Sequence, residues 1–400
     1  MIIGISSRIA AASACVMCAA GVLVLGPATP SPAPGPAPAP ARADAEAPDG
    51  PWATAPWPGL LYRSGTQVRP RRAAPELPDL SAQSWLVADA RSGDVLAASN
   101  AHLPLPPAST LKILFALTVL PSLPGGIRHR VADEELTGIG PGSSLVGVAE
   151  GRTYEVTDLW RGVFLSSGND AVRVLAALNG GWHTTAARMQ AKARSLGALD
   201  TYVLSPDGYD TDGQVSSAYD LSVFGRAGLR NPDFARYCAT VEAWFPGRDG
   251  GTFPIVNTNR LLTGANGVAP YPGLIGVKNG YTTEAGHTLV AAARRDGRTL
   301  VVTVMNPRAG GGLAVYEEAR ALLDWGFEAR GHVDPVGSLD ALRARPRPGP
   351  DPVPAPAAAS VDDDEGPGWS EAAVITGGSV VGGTVVALVL WVSRRRPSGR

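Results

Sequence analysis

Apolar positions along the chain change period several times, and each change marks a different kind of element. Segments 85–90 and 94–99 run apolar on either side of Arg91-Ser92-Gly93, which predicts two strands joined by a glycine-containing turn. After Pro106-Pro107 the stretch from Ser109 to Leu120 has the length of a helix and almost no polar face. Prolines disfavour helix ahead of them, so this stretch predicts a buried central helix beginning near Ser109. A short strand is expected at 145–149. Helical spacing follows at 158–165, 170–178, 183–196 and 217–229, with Thr157 as the expected cap of the first and Ser166-Ser167-Gly168-Asn169 separating it from the second. Strand period returns at 276–282, 287–293 and 299–305, and 313–329 closes the series as an amphipathic helix. Strands at both ends with helices between them predict an α+β fold, an antiparallel sheet flanked by helices with a mostly helical subdomain packed on it.

Composition sets the limits of that folded region. The chain has 400 residues, 44% of them hydrophobic, and a formal charge of -1, so no basic excess points to nucleic acid. Proline and glycine concentrate in two stretches around a denser middle. Residues 1–43, with Arg8 ahead of an apolar run from Ile9 to Leu25, read as a signal peptide or N-terminal anchor. Residues 44–79 read as a Pro-rich disordered linker, 80–330 as the folded domain, and 331–371 as a second linker ending in the acidic run Asp362-Asp363-Asp364-Glu365. Residues 372–392 carry no charge and are long enough to cross a bilayer; the basic tail 393–400, with Arg394-Arg395-Arg396, then places the C-terminus inside and the domain outside the cell membrane. Past the leader, Cys238 is the lone cysteine, read as a small core residue. Five scattered histidines offer no metal cluster, and no cofactor is expected.

The chemistry concentrates around Ser109. Ser109 and Lys112 lie one turn apart on the central helix. A serine hydroxyl is a weak nucleophile until a base takes its proton, and an amine buried among Leu, Ile and Phe loses its preference for the charged form. Lysine is rare here: Lys112, Lys192 and Lys278 stand against 32 arginines. An amine with a tunable pKa is the task arginine cannot perform. An N-cap serine with a lysine three residues on would produce the same local text, so the pair alone does not decide.

Three short motifs in order do decide: Ser109-Thr110-Leu111-Lys112, Ser167-Gly168-Asn169 and Lys278-Asn279-Gly280. With Asp207-Gly208, Asn257-Thr258-Asn259-Arg260-Leu261-Leu262 and Gly276-Val277-Lys278-Asn279-Gly280-Tyr281-Thr282, the sequence resembles the serine-type D-alanyl-D-alanine carboxypeptidases, the low-molecular-mass penicillin-binding proteins of the β-lactamase/transpeptidase-like superfamily. The resemblance implies that Ser109 attacks the penultimate D-alanine carbonyl of peptidoglycan stem peptides, with Lys112 as base and Ser167 relaying a proton to the leaving amine. It implies that Asn169 holds the substrate amide and orients Lys112. Gly280 is expected to let substrate backbone approach the strand edge and Lys278 to draw the terminal carboxylate, and the resemblance implies that the backbone N–H groups of Ser109 and Tyr281 receive the oxyanion. β-Lactams are the implied inhibitors. Asn279 departs from the family's usual threonine or serine, which puts β-lactam affinity and stem-peptide preference in question. A β-lactamase and a catalytically silent sensing module are the alternatives to a membrane-tethered carboxypeptidase. His287 reads as a structural strand histidine.

Overall fold

The structure, a computed structural model, describes residues 58–340. The expected leader at 1–43, membrane span at 372–392 and basic tail at 393–400 lie outside the described residues. Among the described residues no helix is long and apolar enough to cross a membrane.

In chain order the elements are α1 (Pro58–Leu61), β1 (Thr66–Pro70), β2 (Ala82–Asp89), β3 (Asp94–Ser99), α2 (Lys112–Val119), β4 (Arg128–Arg130), β5 (Thr153–Glu155), α3 (Val156–Leu165) and α4 (Asn169–Leu178). They continue with α5 (Trp182–Ser195), α6 (Ala218–Gly228), α7 (Pro232–Ala239), β6 (Glu242–Pro246), β7 (Thr252–Val256), α8 (Arg260–Thr263), β8 (Leu274–Thr282), β9 (Gly286–Arg295), β10 (Arg298–Pro307), α9 (Ala314–Glu328), β11 (Val333–Asp334) and β12 (Gly337–Ser338). The main sheet runs β11-β1-β3-β2-β10-β9-β8, with β12 also on β3, and its pairings are antiparallel. Strands from either side of the helical stretch meet where Val302 sits opposite Val87, as the α+β reading expects.

Both faces of this sheet are covered. Leu86, Ala88, Val290, Ala292 and Val301 face the helical block, whereas Val87, Leu289, Ala291, Val302 and Val304 face α9. Successive strand side chains point to opposite faces, so burial on both sides requires continuous apolar runs, which is what 287–293 and 299–305 carry. Within the helical block α2 is enclosed: Ile113, Leu114, Phe115 and Ala116 are all 0% exposed. Phe115 meets the Trp160 ring at 5.5 Å.

Several boundaries differ from the sequence reading. The expected linkers give up residues 58–79 and 331–340 to the fold, because β1 pairs with β3 (Gln67 opposite Ala98) and β11 covers the outer edge of β1. Proline is tolerated there since Pro70 ends its strand near the sheet edge. The strand expected at 145–149 is a loop: the Asp170 carboxylate accepts from the backbone N–H of Val146, Gly147 and Val148 at 3.0, 2.8 and 2.9 Å, which takes those donors out of any ladder. Thr157 lies inside α3 rather than at its cap, and its hydroxyl donates to the Gly125 carbonyl at 3.0 Å. Helix α7, capped by Asn231, and the β6–β7 hairpin were not anticipated.

Truncating Phe115 to alanine removes a fully buried ring from the helix that carries the central motif. Its expected cost is about 3–5 kcal/mol of unfolding free energy in urea titration; a loss under about 1 kcal/mol would show that α2 does not anchor the core.

Candidate active site

The serine and lysine of the first motif are joined by a change of helix type. Ala108–Leu111 is a single 3-10 turn that flows into α2 at Lys112. Residues three apart eclipse in 3-10 geometry, and Lys112 Nζ lies 2.8 Å from Ser109 Oγ. The same nitrogen donates to the Asp207 backbone carbonyl at 2.6 Å. Lys112 is 1% exposed. Burial pushes its pKa from 10.5 down to about 8, with Asp207 and then Asp170 opposing part of the fall.

The approach of Asp207 depends on its neighbour. Gly208 has φ +77°, and a Cβ there would stand 2.0 Å from the Ala108 carbonyl oxygen. Only glycine fits that left-handed, crowded position. Ala108 (φ 49°) and Ser167 (φ 58°) adopt the left-handed region without glycine's freedom, each at about 1–3 kcal/mol, as happens at sites over-determined by their surroundings.

The second motif ends α3 and begins α4. Ser167 is 7% exposed, and its Oγ has no hydrogen-bond partner among the described residues. Asn169 Nδ2 donates to Ser143 Oγ at 3.1 Å, and its Oδ1 is likewise buried without a partner there. Buried polar groups of this kind are uncommon in a folded core. No hydrogen bond joins Asn169 to Lys112 among the described residues; the Asp207 carbonyl holds the amine instead.

The third motif lies on β8, the end strand of the sheet. Gly280 is where it meets the nucleophile: a Cβ there would come within 2.6 Å of the Ser109 backbone nitrogen. Lys278 is buried, and its Nζ donates to the Asn279 carbonyl at 2.8 Å. Burial, and then the charge of Lys112, push its pKa well below that of a free lysine, with Cys238 opposing. Asn279 Oδ1 accepts from Thr258 Oγ1 at 3.0 Å, and its Nδ2 donates to Tyr316 Oη at 3.3 Å. Tyr281 is exposed, its ring 4.5 Å from that of His287. Cys238 is buried and free, and burial pushes its thiol pKa up, in keeping with a core residue.

A cleft opens on both sides of Ser109. The larger lobe, about 470 Å³, is walled by Ser167, Arg260, Asn279, His287 and Tyr316. The smaller, about 170 Å³, is walled by Ser143, Asn169, Tyr209 and Asp210. The geometry therefore gathers Ser109, Lys112, Ser167, Asn169, Lys278, Asn279, Gly280 and Tyr281 around one cleft. It also brings in groups to which the sequence reading gave no role: the Asp207 carbonyl, Thr258, Arg260, Tyr316 and the loop bearing Ser143. Asp207 and the 257–262 stretch were visible as motif text, whereas nothing in the amphipathic pattern of α9 set Tyr316 apart. His287 belongs to the cleft wall, although no carboxylate hydrogen-bonds to it among the described residues, and burial followed by the charge of Arg260 lowers its pKa.

Comparison with known proteins identifies the family. The sequence profile of the D-alanyl-D-alanine carboxypeptidase family matches residues 71–309. The chain is 42% identical over 277 residues to D-alanyl-D-alanine carboxypeptidase DacB2 of Mycobacterium tuberculosis, covering 68% of this chain and 90% of that protein. A crystal structure of a D-alanyl-D-alanine carboxypeptidase from M. tuberculosis H37Rv superposes with TM-score 0.62 at 40% identity, covering 68% of this chain and all of the other (100%). The Streptomyces K15 DD-transpeptidase superposes with TM-score 0.58 at 27% identity over 63% of this chain and 99% of the other. With three motifs converging on one cleft and a match that spans the folded region, the chain belongs to the D-alanyl-D-alanine carboxypeptidase family.

Proposed function

We propose that this serine-type D-alanyl-D-alanine carboxypeptidase trims the terminal D-alanine from peptidoglycan stem peptides through a Ser109 acyl-enzyme, that β-lactams acylate the same serine, and that the enzyme works outside the cell membrane on a C-terminal anchor. The observation that carries the chemistry is the Lys112 amine, buried and 2.8 Å from Ser109 Oγ. With its pKa near 8, about a tenth of it is neutral at pH 7 and able to take a proton.

In this reading Ser109 Oγ attacks the carbonyl carbon of the penultimate D-alanine and its proton passes to Lys112. The negative oxygen that forms is received by the backbone N–H groups of Ser109 and Tyr281. The bond from carbon to the leaving nitrogen then breaks as Ser167 relays a proton to that nitrogen, and D-alanine departs. Water hydrolyses the remaining ester and restores Ser109. Asn169, beside Ser143 in the smaller lobe, would hold the amide of the acyl chain. Asn279 is held by Thr258 and Tyr316 on the cleft wall, which leaves the nucleophile and its base untouched. A silent sensing module has no chemical need for a lysine held in this position.

Export by the 1–43 leader and retention by 372–392, with Arg394-Arg395-Arg396 on the cytoplasmic side, would set the domain facing its wall substrate.

Incubated with penicillin, the protein should gain one adduct by intact mass, and Ser109→Ala none; the parent should release D-alanine from a pentapeptide. An adduct that turns over rapidly into hydrolysed drug would favour the β-lactamase alternative. Burial depresses the Lys112 pKa, so the reactive neutral amine accumulates as pH rises, and the acylation rate should climb to a plateau above about pH 8. Lys112→Arg, which stays protonated, should lose about 10²- to 10⁴-fold on the plateau; a flat profile in the parent would remove Lys112 as the base. Deleting residues 372–400 should move the protein from the membrane fraction to the medium, and retention of the shortened chain would overturn the anchor.

A further inference from the structure

We propose that Arg260 is the specificity residue that reads the substrate's terminal carboxylate, the task that sequence resemblance gives to Lys278. The inference rests on the carboxypeptidase reading and deepens it. An enzyme that cuts only at a chain end must detect the charge there, and the detecting group must be cationic, accessible from the cleft and free to take a new partner.

The other candidates around Ser109 fail at least one of these conditions. Lys112 is committed to Ser109 Oγ and the Asp207 carbonyl. Lys278 is 2% exposed, and its Nζ already donates to the Asn279 carbonyl. The Asn279 amide is engaged by Thr258 and Tyr316. Arg260 meets all three. An arginine guanidinium is cationic, and Arg260 is part-exposed on the wall of the larger lobe and makes no ion pair among the described residues.

The charge pattern of the cleft gives the direction in which substrate lies. Arg260 is the one Lys, Arg, Asp or Glu side chain lining the larger lobe, whereas the smaller lobe is lined by Asp210 and no basic residue. An anionic end is repelled from the second and drawn to the first. With the scissile carbonyl over Ser109, the leaving D-alanine carries its carboxylate one carbon beyond the leaving nitrogen, so it comes to lie along the β8 edge toward Asn279 and the Arg260 wall.

The backbone that carries Arg260 is also held in place beforehand. Asn259 Oδ1 accepts from the Leu261 backbone N–H at 3.2 Å, Asn257 Oδ1 accepts from the Asn259 N–H at 2.9 Å, and the Tyr271 N–H donates to the Leu261 carbonyl at 2.7 Å. Its guanidinium lies 5.5 Å from the Tyr316 ring centroid, and that tyrosine's hydroxyl is bonded to Asn279. A planar fork of donors is suited to a carboxylate.

The test uses the full chain and one peptide in two forms, ending in D-Ala-D-Ala as the free acid or as the C-terminal amide, with release of D-alanine or D-alaninamide followed by chromatography. The parent should prefer the acid. Arg260→Gln, which keeps much of the stem and its packing, should lose about 10- to 100-fold in kcat/KM on the acid, mostly through KM, and stay within about twofold on the amide, with Arg260→Lys intermediate. Equal losses on acid and amide would reduce Arg260 to a structural role and overturn the proposal. An undiminished preference for the acid in Arg260→Gln, or its disappearance in Lys278→Gln alone, would return the task to Lys278. A parent that releases product from neither peptide would overturn the carboxypeptidase reading itself, and this inference with it.

Discussion

The site depends on keeping one amine dry and within reach of one hydroxyl. Lys112 is seated in a helix whose other faces are filled by Ile113, Leu114, Phe115 and Ala116, and that burial lowers its pKa to about 8. Enclosure alone would leave ammonium hydrogens unbonded in an apolar core, a costly arrangement. The Asp207 carbonyl answers that cost, and it can approach because Gly208 has no Cβ to strike the Ala108 carbonyl. The carboxylates of Asp207 and Asp170 act the other way, holding part of the charge in place, so the amine stays within range of neutral pH rather than being driven to permanent neutrality. Asp170 has a second task, since its oxygens tie down the loop that carries Ser143 to the cleft.

Three cations so close together have to differ in kind. Lys112 must give up and regain a proton, which requires an amine. Lys278 sits near enough to feel Lys112, and that repulsion adds to burial in disfavouring its charge. Two like charges in one apolar site are avoided when one of them is discharged or moved toward water. Arg260 lies instead on the part-exposed far wall beside Tyr316. Arginine suits the wall and lysine the core for the same reason: one cannot lose its proton and the other can.

Much of this was legible in the sequence because burial on both faces of a sheet leaves a plain signature. The runs 287–293 and 299–305 could be read as strands, and the ordered motifs around Ser109, Ser167 and Lys278 could be read as one site. Features that depend on a distant partner could not. Thr66–Pro70 looks like linker until β3 and β11 flank it. Residues 145–149 have strand composition, but the Asp170 carboxylate, reached only in the folded chain, takes their N–H groups. The motif text named Arg260, yet its setting depends on Tyr316 from α9, more than fifty residues along the chain. Lys278 was legible as a cation and not as a buried one, since burial is a property of packing.

The helix type at the nucleophile follows from the same demands. In a continuous α-helix, residues three apart are neighbours offset around the axis, whereas in a 3-10 turn they eclipse. Ser109 lies in such a turn and Lys112 is the first residue after it, so the two side chains stand one above the other and meet at 2.8 Å. The turn also lies beside β8, with Gly280 against the Ser109 nitrogen. The cost is local strain at Ala108, which takes a left-handed conformation directly before the nucleophile. Such strain persists where the surroundings over-determine it, and the enclosed helix that lowers the lysine's pKa is also the one that follows the serine at the edge of the sheet.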